Sequence, residues 1–186
     1  MPKRTVVFAP GHYYHLYNRG AWRESIFQEP ANYLFMLSKV KKYAKEFNIA
    51  IIAYCLMTNH YHFLVRQEGN DRAGLLPQRV FNSYVKAFNK RYKRTGTLFE
   101  DRFRADHIET EEHLLHLCRY IHANPIKHGF VDRLEDWPYS NYHEWINVRS
   151  GNLIDRAFVQ KYFSTPDAYR QFVMDYVHER KITGGW

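Results

Sequence analysis

Cysteine is nearly missing from the sequence. The 186 residues hold two, Cys55 and Cys118, far apart and without metal-ligand spacing. In a chain that reads as cytoplasmic they are reduced core thiols. Long apolar runs are missing too. None approaches the ~20 residues of a membrane span, so no membrane partner is expected. The opening MPKRTVVFAP carries two basic residues but no long apolar stretch, which argues against a secretory signal. There is no repeat, no low-complexity tract, and no obvious linker before about residue 148.

Acidic residues are absent from one stretch. Between Arg72 and Phe99 lie seven basic residues (Arg72, Arg79, Lys86, Lys90, Arg91, Lys93, Arg94) and none of opposite sign. The whole chain carries a formal charge of +8. A one-signed run attracts a polyanion, most commonly nucleic acid. The plainer account is a solvated helix face, but such faces usually mix signs. Aromatics are plentiful, at 17%, and some can serve as stacking platforms for unpaired bases.

What is present orders itself into strands and helices. Residues 12–18, HYYHLYN, roughly alternate and read as a strand ended by Asn18-Arg19-Gly20. Leu34, Leu37, Val40, Tyr43, Ala44 and Phe47 recur at helical spacing after Pro30. Residues 49–57, IAIIAYCLM, suit a central strand, and Thr58-Asn59 turns into a strand over 60–66. A basic helix spans about 73–94. Its aromatic stripe, Phe81, Tyr84, Phe88 and Tyr92, is read as core packing rather than base stacking. Residues 98–108 follow as a strand with a turn or bulge. Thr110 caps a third helix, which is expected to stop at Ala123 because Asn124-Pro125 follows. The fold class is α+β: a ferredoxin-like antiparallel sheet with helices packed on it. Residues 1–148 are expected to form the main domain and 149–186 a helical appendage.

The segment YCLMTNHYHFLVR, residues 54–66, holds the chemistry. In a strand, residues two apart share a side, so His60 and His62 project together while Tyr61 faces away. Two imidazoles bind a divalent metal if a third ligand arrives. In a chain with 11 histidines a chance pair is the competing reading. Burying both in an apolar hairpin without partners is costly. His113, His116, Tyr120 and Asn124 follow at helical spacing and share one face of the third helix. Asn124 can complete a His-His-amide site with Tyr120 about one turn away. Spacing alone does not single out Tyr120 among 15 tyrosines.

These residues resemble the single-tyrosine HUH transposases, in which two histidines flank a bulky apolar residue. His60-Tyr61-His62 is similar to that motif, and Tyr61 is a mild departure from it. Residues 119–129, RYIHANPIKHG, resemble the tyrosine helix of the REP-associated branch, related to the insertion-sequence (IS200-like) transposases. Residues 17–20, YNRG, and 137–142, WPYSNY, resemble further segments in the same order. The resemblance covers roughly residues 10–146. It implies attack by Tyr120 on single-stranded DNA near a hairpin, leaving a 5′-phosphotyrosine and a free 3′ hydroxyl. It implies Mg²⁺ or Mn²⁺ held by His60, His62 and Asn124. It leaves open a homodimer in which the tyrosine helix acts in trans. The expected location is the cytoplasm, on the nucleoid when DNA is bound. Arg19, Lys86, Lys90, Arg91, Arg94, Arg102 and Arg104 are the candidate DNA contacts, with His107, His113 and His116 as weaker ones. Two other readings stay open: a module that grips structured nucleic acid without cutting, and a metal-dependent hydrolase that uses activated water.

Overall fold

Alternation along the strands decides what faces what. In the computed structural model, which describes residues 6–183, strand β1 (Tyr13–Arg19) buries Tyr14 and Leu16 in one core layer. Strand β3 (His60–Gln67) sends Tyr61, Phe63 and Val65 to that layer and Leu64 to a second. With β2 (Ile49–Leu56) and β4 (Arg104–Ile108) they form one antiparallel sheet in the order β2-β3-β1-β4. Residues 1–5 of the opening stretch lie outside the described residues.

Helices cover both faces. Helix α1 (Pro30–Glu46) and helix α2 (Leu75–Arg91) bury Tyr33, Met36, Val40, Leu76 and Val80 in the first layer. Helix α3 (Glu111–Lys127) buries Leu114, Leu117, Cys118 and Ile121 in the second. The short helices α4 (Tyr142–Trp145) and α5 (Arg156–Tyr162), and then α6 (Pro166–Thr183), complete that layer with Trp145, Phe158, Tyr169 and Val173. Among the described residues no helix is long and apolar enough to cross a membrane.

Three expectations need correction. Strand β2 is an edge strand, not a central one. It is apolar because both faces are buried and because residues 137–155 occupy its free side. Leu56 N donates to Tyr139 O, Asp155 N to Ile51 O, and Asn141 takes up both Tyr54 N and Ile52 O. A covered edge offers no template for aggregation.

Upstream of Arg104 there is no continuous strand. Phe99 makes a single bridge with Gly20. Asp101 then turns the chain, its Oδ1 accepting from Arg102 N at 2.7 Å while its carbonyl accepts from Asn18 Nδ2. A side chain that satisfies its own backbone competes with the ladder.

Helix α3 does not stop before Pro125 but runs to Lys127. Pro125 has no N–H for the Ile121 carbonyl. Asn124 supplies a substitute: its Nδ2 donates to Tyr120 O at 2.8 Å and to Ile121 O at 3.4 Å. Gly129, at φ +67, follows the helix end and its N–H returns to Ile126 O.

A buried polar chain ties α3 to its neighbours. His122 bonds Tyr169 of α6 through Nδ1 and Asn141 Oδ1 through Nε2. Asn141 in turn grips β2. Tyr169→Phe leaves His122 Nδ1 without its partner in an apolar layer. A loss of about 1–2 kcal/mol is expected in urea unfolding.

Candidate active site

The second face of the sheet gathers polar side chains at one end. The register sets Arg19 opposite His60, Tyr17 opposite His62, and on the other side Tyr17 opposite Arg104 and His15 opposite Asp106. The period of two then puts His60, His62, His15 and Tyr17 on the side that α3 covers. Tyr61 faces away, stacked on Phe81 at 4.1 Å.

Hydrogen bonds orient both imidazoles. Asn59 Nδ2 donates to Arg23 O, so its Oδ1 is the acceptor that faces His60 Nδ1 at 2.7 Å. His60 therefore carries its proton on Nδ1, and Nε2 keeps a lone pair. His62 Nδ1 meets His15 Nε2 at 2.9 Å. His15 Nδ1 lies 3.9 Å from Asp106 Oδ2, beyond hydrogen-bond reach. With His62 Nδ1 donating to His15 Nε2, the Nε2 of His62 also keeps a lone pair. One hydrogen bond thus links His62 on β3 to His15 on β1.

Burial keeps these rings neutral. It pulls His60 down to about 4, with the nearby His128 charge next in importance and Asn124 acting the other way. His15 falls to about 3, by burial and then by His113. His62 lies well below the usual range, by burial and then by His15. His122 falls to about 4 by burial. Each unfolded imidazole titrates near pH 6.5, above its folded value, so the unfolded state binds more protons as pH falls. Stability is therefore full above about pH 6.5 and declines below it. In metal-free buffer, the thermal midpoint is expected to fall by several degrees or more between about pH 7 and pH 5.

Helix α3 brings the remaining parts. The Tyr120 ring stands edge-on to His62, with centroids 5.6 Å apart and planes at 81°. Burial raises its phenol, followed by Tyr176 and Tyr17, so it rests protonated. Lys127 Nζ lies 4.7 Å from the Tyr120 ring centroid. Asn124 is buried beside His60, and its Oδ1 accepts no hydrogen bond among the described residues. A buried amide oxygen left without a donor costs free energy, and it suits a hard cation. Among the described residues, no three His, Cys, Asp or Glu side chains cluster as ligands.

The candidate DNA contacts divide. Arg19 and Arg104 lie at the histidine end of the sheet, Arg19 bonded to Glu100 at 2.7 Å. Arg102 is exposed in the preceding turn. Lys86 and Lys90 are exposed on α2, across the sheet from the histidines. At its C-terminal end Arg91 pairs with Glu29 and Arg94 with Glu24. His107 bonds His12 at 2.8 Å and packs on Tyr14, on the α1–α2 side. His113 is exposed, and His116 packs edge-on to Tyr176 at 5.4 Å. Sequence reasoning missed His15. Its place in the alternating HYYHLY run was visible, but not the register that sets it beside His62.

Comparison with known proteins decides the family. The sequence model described as "Transposase IS200 like" matches residues 9–124, more than half of the chain. The chain belongs to the IS200-like transposase family. Two curated relatives are similar to this family member. One, from Haemophilus influenzae (strain ATCC 51907 / DSM 11121 / KW20 / Rd), is assigned by its description to the REP-associated tyrosine transposases. It is 30% identical over 57% of this chain. The other, the "REP-associated tyrosine transposase" of Escherichia coli (strain K12), is 25% identical over 60%. The matched segments span 66% and 65% of those relatives' own lengths, just under two thirds. A solved structure of a REP-associated tyrosine transposase bound to a REP hairpin superposes with a TM-score of 0.68 at 20% identity. It covers 83% of this chain and 94% of that one. It shares the fold, including the antiparallel sheet with its packed helices.

Proposed function

We propose that this transposase cleaves and rejoins single-stranded DNA beside a hairpin, with Tyr120 as nucleophile and His60, His62 and Asn124 holding Mg²⁺ or Mn²⁺. The observation that carries it is the juxtaposition within one chain of the Tyr120 phenol, two imidazoles with free Nε2 lone pairs, and the unpaired Asn124 Oδ1. A hairpin as the DNA is supported by the relative solved with one.

The three neutral donors leave a bound ion's positive charge to the DNA. When bound, the ion withdraws charge from the phosphate oxygens and aligns the phosphate. The chain supplies the rest. Tyr120 Oη loses its proton and forms a bond to phosphorus, the bond to the 3′ oxygen breaks, and that oxygen takes up a proton. The 5′ phosphate stays on Tyr120. One ester replaces another, so a 3′ hydroxyl can reverse the step and join strands without ATP. Lys127 stands over the Tyr120 ring, and His15 orients one ligand through its Nδ1. Arg19, Arg102 and Arg104 are assigned to phosphates at the same end of the sheet. Lys86, Lys90 and Arg91 are assigned to more distant duplex, and Arg94, paired with Glu24, to the single strand near the turn after β1.

The test is a covalent adduct. Labelled hairpin DNA with unpaired tails is incubated with the protein and Mn²⁺, then denatured and resolved. Labelled protein is expected. Clean cleavage without labelled protein overturns the tyrosine mechanism in favour of activated water. Salt-sensitive binding without any cleavage overturns it in favour of a binding module.

A further inference from the structure

Helix α1 is reached through a turn whose shape is unusual. Residues 21–23 form a short 3-10 turn in which Trp22 and Arg23 both take positive φ, +56 and +60. Non-glycine residues rarely do so. The turn presents Trp22 at 92% exposure, the highest of the large apolar side chains among the described residues. A single exposed apolar residue is unremarkable, but this one is braced. Gly20 N donates to Asn59 O at 2.7 Å, Ala21 N to Leu98 O at 3.0 Å, and Asn59 Nδ2 to Arg23 O at 3.0 Å. Ile26 N and Phe27 N both reach Thr58 O. Gly20 permits the turn, since a Cβ there would lie 2.2 Å from Glu24 O.

The brace ends on the candidate site. Asn59 holds Arg23 O with its amide nitrogen and His60 Nδ1 with its amide oxygen. A second exposed aromatic approaches His60 by another route. His128 stands 5.0 Å from His60, and Phe130, two residues on, is 44% exposed. Trp22 and Phe130 are the two aromatics among the strongly exposed large apolar side chains, and both are linked to His60 within a few residues. Arg23 is exposed beside the indole, and Arg94 reaches the same turn through Glu24.

A flat apolar face held open among guanidinium groups matches an unpaired nucleobase, whose ring stacks while its phosphate meets the cations. We propose that Trp22 is a stacking platform for one unpaired base next to the strand-cleavage site. This rests on the reading that the His60 site handles a single strand. Stacking is tolerant of base identity, so Trp22 sets where the strand sits rather than which base it carries.

The test uses a fluorescein-labelled DNA hairpin with unpaired tails, in which one abasic site is walked along the tails. Affinity is read by anisotropy in EDTA for wild type, Trp22→Ala and Trp22→Phe. At one position base removal is expected to weaken wild type about tenfold. The same removal should cost Trp22→Ala nothing further, and Trp22→Phe should keep most of the sensitivity. Trp22 touches no core, so all three proteins should share one thermal midpoint. The proposal is overturned if Trp22→Ala binds as tightly as wild type, or if it loses affinity with every abasic penalty unchanged. It is also overturned if wild type binds none of the tailed hairpins. The adduct assay on the same DNA separates the two ideas. Coupling without an adduct removes the cleavage mechanism and keeps the platform, and an adduct without coupling removes the platform alone.

Discussion

Tyr120→Phe is expected to abolish the protein–DNA adduct, lowering its yield by more than about a thousandfold, because the attacking oxygen is gone. The change should leave the fold alone. The ring keeps its edge-on contact with His62, and the hydroxyl is not part of the polar network that joins α3 to α6. Stability should stay within about 0.5 kcal/mol of wild type. One rival phenol needs its own control. Tyr17 lies on the same face, stacked 4.4 Å from His15 and 5.9 Å from His62. Its phenol is raised by burial and then by Asp106. Tyr17→Phe should retain the adduct. The opposite pattern, adduct lost with Tyr17→Phe and kept with Tyr120→Phe, would move the nucleophile to β1. Tyr84→Phe tests something else: Tyr84 OH bonds Ile26 O in the first core layer, so stability should fall while the adduct persists.

The second large effect concerns His62. His62→Ala should lose Mn²⁺ binding by calorimetry and cut adduct formation by a factor on the order of a thousand. His15→Leu touches no bound ion directly. It removes the acceptor that holds His62 Nδ1, so Mn²⁺ affinity should fall about 10–100-fold, with the adduct partly restored at high Mn²⁺. Metal affinity unchanged in His15→Leu would mean that His15 does not orient His62. Unchanged Mn²⁺ binding in both variants would place the ion elsewhere.

Much of this was readable along the chain, for reasons that differ by residue. His60 and His62 were visible as a pair because a strand's period is two. Tyr120 and Asn124 were visible as neighbours because a helix's period is 3.6. Both are local facts. His15 was not, since its contact depends on β1 and β3 pairing with His15 opposite Leu64, and nothing in HYYHLYN specifies that register. The end of α3 was misread because the rule for residues before proline is also local. It fails where the side chain of Asn124 takes over the missing donor's work. The apolar run of β2 suggested a central strand, yet what hides its edge is the aromatic segment some eighty residues later. The basic run was legible as charge but not as position. Most of it lies across the sheet from the histidines.

Helix α3 is pinned at its start by the Thr110 cap, which accepts from His113 N at 3.2 Å, and along its length by the buried network at His122. Its two sides serve different needs, one the reacting groups and the other the packed interior. One residue inserted between the cap and Tyr120 would rotate everything beyond it by about 100°. Either Tyr120 and His122 leave their partners together, or the first turns of α3 take Leu114 and Leu117 out of the second layer. The number of residues from Thr110 to Asn124 is therefore a gauge length. Substitutions along α3 can be tolerated one by one, whereas a change in its count cannot be absorbed without giving up either reactivity or folding.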